Sequence, residues 1–408
     1  MEFKTFDVII IGAGPAGCAC AFMLRHSNLK IAVLDASQFP RDKICGDALS
    51  ADVVNQLHLM DASLLSKFEG FERKHASNGV RFFAPNGTGL DIDFVNKKHP
   101  LAAGYVAQRM DFDAFLVNQI RDQETIDIFE NHKVISISDH GDSIELQTEH
   151  TKFSTLMLVG ADGANSIVKR QLTDQKLDKR HHCAGLRQYY ENVKGFKENG
   201  SIELHFHKDI LPGYFWIFPL PDNKANVGLG MLSSEVSKKN IDLKKKLEHI
   251  ITEHPTIKER FKNARALEKI KGFGLPIGSK KVPLSGNRFL LLGDAANLID
   301  PFTGEGIGNA IRSGRVAAEH LQKTFERKDF SSKFNKAYDQ EIYRRMWNEL
   351  RIGRSLQKLL KFPKLFNFVV KKANHNPSLK LLLTSMLDDI DMKKELTKPS
   401  FYFKLLFK

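Results

Sequence analysis

Apolar residues fill positions 8–11 without a break, the turn GAGPAG follows, and the apolar stretch CACAFML then leads to a second run at 31–34 that ends on Asp35. Short unbroken apolar runs bounded by turn residues read as buried strands, and the segment between them is long enough for a helix. The order strand, glycine turn, helix, strand opens a parallel sheet. A loop to about residue 50 leads to a predicted helix over 53–65, and the alternation in GVRFFAPNGTGLDIDF around Asn86-Gly87 predicts a hairpin. After GYVAQR, Phe112, Phe115, Leu116 and Ile120 recur at helical spacing. KVISIS, SIELQT and STLMLVGADG read as strands. Residues 181–278 are strand-rich around a charged helix near 238–261, NRFLLLGDAA is another buried strand, and the remainder is mostly helical.

This order predicts an α/β protein with a Rossmann-like parallel sheet, interrupted by a mixed, largely antiparallel lobe and followed by a helical C-terminal region. The expected nucleotide-binding domain is discontinuous, over residues 1–78, 104–176 and 279–330; the lobe takes 79–103 and 177–278, and the basic helical region 331–408. Within the strand-rich part, PGYFWIFP places Tyr214, Trp216 and Phe218 on one face of an extended segment and Phe215 and Ile217 on the other. Both faces are apolar, so each needs cover. One face suits the core of the lobe. The other is expected to wall a substrate cavity, with Tyr214 and Trp216 offering polar edges for orientation.

Composition changes the picture in few places. Hydrophobic residues make up 42% of the 408 and charged residues 27%, which suits a globular core. No apolar run approaches the roughly 18 residues of a spanning helix, and the first apolar run is too short for a signal peptide, so a cytoplasmic location is expected. Net charge is +13, and residues 351–408 hold 13 Lys and Arg against 4 Asp and Glu. LQKLLKFPKLFNFVVKK and the closing FYFKLLFK interleave Lys with Leu and Phe, a pattern that fits an anionic membrane surface and equally a solvated helix face. Peripheral attachment to the inner face of the membrane is therefore a second expectation. No nucleic-acid partner is expected, because no binding module is present. Cys18, Cys20, Cys45 and Cys183 have neither zinc-ligand spacing nor a disulfide framework, and no metal is expected. Cys18 and Cys20 lie in an apolar helix, whereas Cys45 lies in the polar loop RDKICGD.

Gly12, Gly14 and Gly17 form GxGxxG directly between a strand and a helix. The first makes the turn, the second admits a pyrophosphate to the backbone, and the third lets helix and strand pack closely. Asp35 ends the next strand and can accept a hydrogen bond from a ribose. Asp162 and Asp294 each follow a buried strand beside a glycine turn, where a ligand lying across a parallel sheet is held. Gly304, Gly306 and Gly308 precede an apolar helix whose amides and dipole can stabilise negative charge. No second strand-GxGxxG-helix unit exists for a nicotinamide cofactor.

These segments resemble the flavoproteins of the aromatic-hydroxylase class, and within them the geranylgeranyl reductase family. The shared elements are the glycine turn, RDKICGDALS, QRMDFDAFL, GADGANSIV, PGYFWIFP with NVGLGM, and GDAANLIDPFTGEGIGNAIRSG, in family order over roughly the first three quarters of the chain. The resemblance implies FAD, held at its pyrophosphate by Gly12, Gly14 and Gly17 and at its adenosine ribose by Asp35. Arg109 would also bind it, Asp294 would hold the ribityl chain, and the strand containing Val134 would pass the adenine. Gly306 and Ile307 would set their amides by the isoalloxazine, with Cys45, Gly46 and Ala48 on its other approach. The chain departs from the family in Asp35, shorter than the usual glutamate, in Asp47 and Ala48 where glycines are frequent, and in Lys169 where arginine is common.

The implied activity is reduction of carbon-carbon double bonds in an isoprenoid chain on a lipid, quinone or prenyl substrate, with hydride from the flavin and a proton for the second carbon. A thiol at Cys45 is a chemically allowed proton source, and a packing role beside the ring is its alternative. The external reductant is NAD(P)H docking transiently, or a reduced ferredoxin. Three rivals share the framework: an aromatic hydroxylase using NAD(P)H and oxygen, a halogenase, and a non-catalytic basic flavin-binding protein at a membrane surface. A halogenase is expected to carry a tryptophan pair where this chain has Tyr214 and Trp216.

Overall fold

The computed structural model describes residues 2–94 and 104–380, except Ser378. One sheet carries, in spatial order, Ser285–Gly286, Phe289–Leu291, Thr151–Gly160, Glu2–Ile11, Ile31–Leu34 and Ile126–Phe129. From Phe289–Leu291 to Ile126–Phe129 every pairing is parallel. Helices cover such a sheet, so its strands are buried on both faces, and Val8, Ile9, Ile10 and all of Ile31–Leu34 are fully enclosed. Strands Ile144–Gln147 and Ser136–Asp139 extend antiparallel from Thr151–Gly160.

Helix Pro15–Leu24 begins with proline at its first turn, where no amide is needed for the helix. It is packed between the sheet and the 21-residue helix Ile307–Arg327. Two glycines set the separations. A Cβ on Gly17 would lie 1.9 Å from the Gly12 carbonyl oxygen, and one on Gly314 would lie 2.4 Å from that of Ala16.

The second sheet runs Arg265–Ala266, His182–Glu191, Lys224–Leu232, Gly213–Leu220, Ile202–His205, Gly79–Phe83 and Gly89–Asp93, with Lys271–Pro276 also on His182–Glu191. Its pairings are antiparallel except Ile202–His205 with Gly79–Phe83, which makes it mixed. A small sheet of Ala48–Leu49, Gly104–Val106 and His75–Ser77 lies between the two. Helix Ser332–Leu359 buries Tyr338, Ile342, Met346 and Leu350 against the first core, and Pro363–Ala373 packs Phe366 and Val370 on the lobe. The closing FYFKLLFK lies outside the described residues. No helix among the described residues is long and apolar enough to cross a membrane.

Two expected elements are divided and a third is shorter than expected. The helix over 53–65 is two, Ala51–Met60 and Ala62–Glu69, because Asp61 is extended at φ −169 and caps the second by accepting from the Ser63 amide at 2.8 Å. The charged helix near 238–261 is three, Ser233–Lys239, Leu243–Glu253 and Lys258–Phe261. Asn240 ends the first in the left-handed region at φ 49, Asp242 caps the next, and Pro255 keeps the preceding residue out of helix. The strand expected in KVISIS starts only at Ser136, so Val134 lies in the connection before it. That connection is drawn away from the ladder by a 2.8 Å bond from the His132 amide to the Asp35 carbonyl.

Gly314→Ala tests the helix contact. Overpacking of this kind costs roughly 1–3 kcal/mol, so the urea midpoint should fall clearly below wild type; an unchanged midpoint would show that the helices do not depend on this close approach.

Candidate cofactor and substrate site

A cavity of about 470 Å³ opens where the parallel strands end, lined by Ile11, Leu34, Asp162 and Leu292 and by the loops that follow them. Gly12 stands at φ +101, and a Cβ there would lie 2.4 Å from the Ala161 carbonyl oxygen. Only glycine is tolerated at such a place. A Cβ on Gly14 would instead meet just the guanidinium groups of Arg41 and Arg109, at 3.8 and 3.9 Å. Two cations thus face the amides that open helix Pro15–Leu24, which forms a cradle for a doubly charged anion. Buried Asp113 holds both arginines: Arg109 bonds it through Nε at 2.6 Å and a terminal nitrogen at 2.7 Å, and Arg41 at 2.9 Å. Gly17 does not line the cavity; its place is in the packing of helix on strand.

Asp35 lines the same cavity beside the glycine turn. Its Oδ2 accepts from the Ala13 amide and its Oδ1 from the Ser37 amide, both at 2.9 Å, which leaves each oxygen a lone pair for a hydroxyl. Val134 lines this cavity too, from a connection instead of the expected strand. Asp162 accepts from the Ile167 amide at 2.6 Å through Oδ2, while its buried Oδ1 has no hydrogen-bond partner. Burial raises the pKa of this carboxyl. Lys169 bonds Asn297 at 3.0 Å; burial lowers its pKa, and the charges of Asp162 and Asp294 work the other way. Asp294, Gly304, Gly306 and Ile307 close the cavity at the start of helix Ile307–Arg327, whose N-cap, Gly306, supplies no side-chain cap.

A second cavity, about 190 Å³, adjoins the first and shares Cys45, Phe273, Leu275, Gly304, Gly306 and Ile307 with it. Gly46 and Ala48 line this second space and not the first. Tyr214, Trp216 and Phe218 form part of its wall. The alternate residues Phe215 and Ile217 pack with Val227, Leu229, Leu247 and Ile250 in a separate core. Strand Gly213–Leu220 therefore covers a cavity with one face and a core with the other. Gly228 makes room for the indole, since a Cβ there would lie 2.3 Å from the Trp216 ring. The polar edges expected to orient a substrate are already used. Trp216 Nε1 donates to Asn226 Oδ1 at 2.8 Å and the Tyr214 hydroxyl to the Thr303 carbonyl, because a buried donor must find a partner.

The sequence reading missed the network beneath Cys45. Asn226, fully buried, donates through Nδ2 to the Cys45 carbonyl and to Asp47 Oδ2, each at 2.8 Å. Tyr189 donates to the same Asp47 oxygen at 2.6 Å. Asp47 stands at φ 66, and burial pushes its carboxyl up to about 6 although these hydrogen bonds work to lower it. The Arg187 guanidinium lies 3.8 Å over the Tyr189 ring and pairs with Asp42 at 2.8 Å. Two signals were present: Asn226 is the one polar side chain in ANVGLGM, and Asp47 replaces a frequent glycine. Cys45 itself stands at the junction of the cavities.

A glycine turn facing two guanidiniums, an unpartnered buried carboxylate oxygen and an uncapped helix start fit a dinucleotide. The family of the FAD binding domain matches residues 5–351. The chain belongs to this family. Its cofactor is FAD. This FAD-binding chain is 29% identical over 336 residues to a menaquinone reductase of Mycobacterium tuberculosis (strain ATCC 25618 / H37Rv), covering 77% of the chain and 76% of that protein. It is 28% identical over 387 residues to a digeranylgeranylglycerophospholipid reductase of Methanocella arvoryzae, covering 91% and 88%. In fold it is similar to the crystal structure of a geranylgeranyl bacteriochlorophyll reductase-like protein from Thermoplasma acidophilum, with a TM-score of 0.80 at 21% identity over 97% of this chain and 96% of that one.

Asp47 makes stability depend on pH in a defined direction. As pH rises, an unfolded aspartate near 3.9 loses its proton before the folded one at about 6 does, so the unfolded state binds fewer protons and stability falls between them. The loss is on the order of 3 kcal/mol for the full interval. Unfolding free energies of the FAD-binding protein and of Asp47→Asn, measured from pH 4 to 7, should converge or cross as this contribution disappears in the variant; parallel curves would refute the assignment.

Proposed function

We propose that this FAD-binding protein is a reductase that saturates carbon-carbon double bonds of an isoprenoid chain carried by a lipid, a quinone or a prenyl compound. The observation that carries the reading is the apolar second cavity, walled by Tyr214, Trp216 and Phe218 and joined to the cofactor cavity at Cys45 and the Gly304 to Ile307 turn. An unbranched polar substrate would gain nothing from such walls, whereas each buried CH₂ of a hydrocarbon chain contributes about 0.8 kcal/mol. The names of the two reductase relatives, one for a quinone and one for a geranylgeranyl lipid, support the same class.

In this reading Gly12, Gly14, Arg41 and Arg109 would hold the pyrophosphate, Asp35 the adenosine ribose and Asp294 the ribityl chain, with Val134 on the adenine side. Asp162, with an oxygen still to be bonded, closes the middle of the cavity. The amides of Gly306 and Ile307 would stabilise negative charge on the isoalloxazine edge, while those of Gly304 and Glu305 are bonded to the Asp300 carbonyl and the Thr303 hydroxyl. When bound and reduced, the flavin would supply the hydride that one alkene carbon takes. In this reading the second carbon takes its proton from the Cys45 thiol, and solvent returns one to the thiolate after turnover. Apolar walls exclude water, and Gly46, Ala48 and the three aromatic residues hold the chain in line. The external reductant is NAD(P)H docking transiently or a reduced ferredoxin, and the basic C-terminal region brings the protein to an anionic membrane surface.

The decisive experiment is anaerobic. The flavin is reduced in separate samples with NADH, NADPH or reduced ferredoxin, and geranylgeranyl lipid, geranylgeranyl diphosphate or menaquinone is then added. Reoxidation should accompany a product that has gained two hydrogens per turnover; product only with oxygen and a phenol would make the protein a hydroxylase. Trp216→Leu should shift chain-length or double-bond preference with FAD retained, and unchanged selectivity would return strand Gly213–Leu220 to plain core. Cys45→Ala should lower turnover about a hundredfold or more, in the range of a lost general acid, with flavin content unaffected; full turnover would leave Cys45 a packing residue.

A further inference from the structure

Helix Pro363–Ala373 has a second face. Phe366, Val370 and Ala373 are buried against the lobe, where Phe366 meets Phe206 edge to face at 4.9 Å. On the opposite side Leu365 and Phe368 are 48% and 55% exposed, and Phe362, just before the helix, is 63% exposed. Among the described residues nine large hydrophobic side chains are exposed; three fall within these seven positions and the other six are scattered. Clustering of that kind marks a surface made for contact.

The charge around the cluster selects the partner. Lys364 and Lys371 are exposed on the same outward side as Leu365 and Phe368. Residues 351–380 contain eight Lys and Arg and no Asp or Glu. A protein partner of mixed charge would not need so one-sided a face. Phenylalanine and leucine interleaved with lysine suit the boundary of an anionic bilayer, where rings insert below the headgroups and ammonium groups remain among the phosphates. The helix also adjoins the second cavity: Leu360, just before it, lines that cavity, and Phe366 shares a core with Val80, Leu204 and Trp216, which line it too.

We propose that the outward face of helix Pro363–Ala373, through Phe362, Leu365, Phe368, Lys364 and Lys371, docks this protein on an anionic lipid bilayer and sets the second cavity beside it. The docking stands on the exposed cluster and its charge; only its purpose, delivery of a membrane-borne chain, rests on the reductase reading. None of these five side chains lines either cavity, so the face can be changed without touching the site.

The test is flotation of the full-length flavin-bound protein with vesicles of phosphatidylcholine carrying roughly a third phosphatidylglycerol, against vesicles of phosphatidylcholine alone. Wild type should float with the anionic vesicles, less so in high salt, and Leu365→Ser/Phe368→Ser and Lys364→Glu/Lys371→Glu should each weaken partitioning roughly tenfold or more. Flavin content, and turnover of a short detergent-dispersed prenyl acceptor, should equal wild type in both variants. Equal binding to both kinds of vesicle, or equal binding of variants and wild type, overturns the proposal. So does sedimentation showing that the face joins two copies of the chain while neither floats. Flotation that responds as expected while no acceptor is reduced would leave the docking in place and remove the reductase reading.

Discussion

The structure depends on how closely three pieces of backbone approach at the first turn of the sheet. Helix Pro15–Leu24 is seated against strand Glu2–Ile11 by Gly17 and against helix Ile307–Arg327 by Gly314, so its position is fixed on two sides. One result is that two helices from distant parts of the chain begin at the same cavity. The amides of Pro15–Leu24 face the two arginines held by Asp113, and those of Ile307–Arg327 face the junction with the second cavity. A dinucleotide places its pyrophosphate and its reactive ring far apart, and two helix starts set apart along one cavity answer that separation. Widening either contact would move both charge-stabilising ends together.

The lobe is joined to this frame by a polar seam. Asn226 binds the indole of the substrate wall with its oxygen and the Cys45 loop with its amide, and Asp47 receives both Asn226 and Tyr189. Burial makes each of these bonds costly to lose, since an unpaired polar group there has no water to turn to. Wall and loop are therefore positioned by one residue, and the distance between an aromatic surface and the thiol is set by backbone pairing of Gly213–Leu220 with Lys224–Leu232. The same pairing explains Gly228: opposite Trp216, any side chain would occupy the space of the ring.

Much of the frame was legible because its signals are local. GxGxxG between two apolar runs identifies strand, turn and helix with few alternatives, and PGYFWIFP reads as extended with two apolar faces. The helix boundaries were less legible. Asp61, Asn240 and Asp242 break predicted helices through caps that compete with continuation. Val134 was read into a strand from its apolar neighbours, although the bond from His132 to the Asp35 carbonyl draws that segment aside.

By itself the sequence determined the nucleotide-binding unit, the alternation that gives Gly213–Leu220 two faces, and the one-sided charge of residues 351–380, because each is a property of neighbours along the chain. Only the tertiary structure decided that Arg41 joins Arg109 on Asp113, and that Tyr214 and Trp216 spend their polar edges on Thr303 and Asn226. It also decided that two cavities meet at Cys45. Several of these join residues far apart along the chain, such as Arg41 with Asp113 and Tyr214 with Thr303. Hydrophobic pattern says which residues leave water, but where each buried polar atom finds its partner depends on how the elements are brought together.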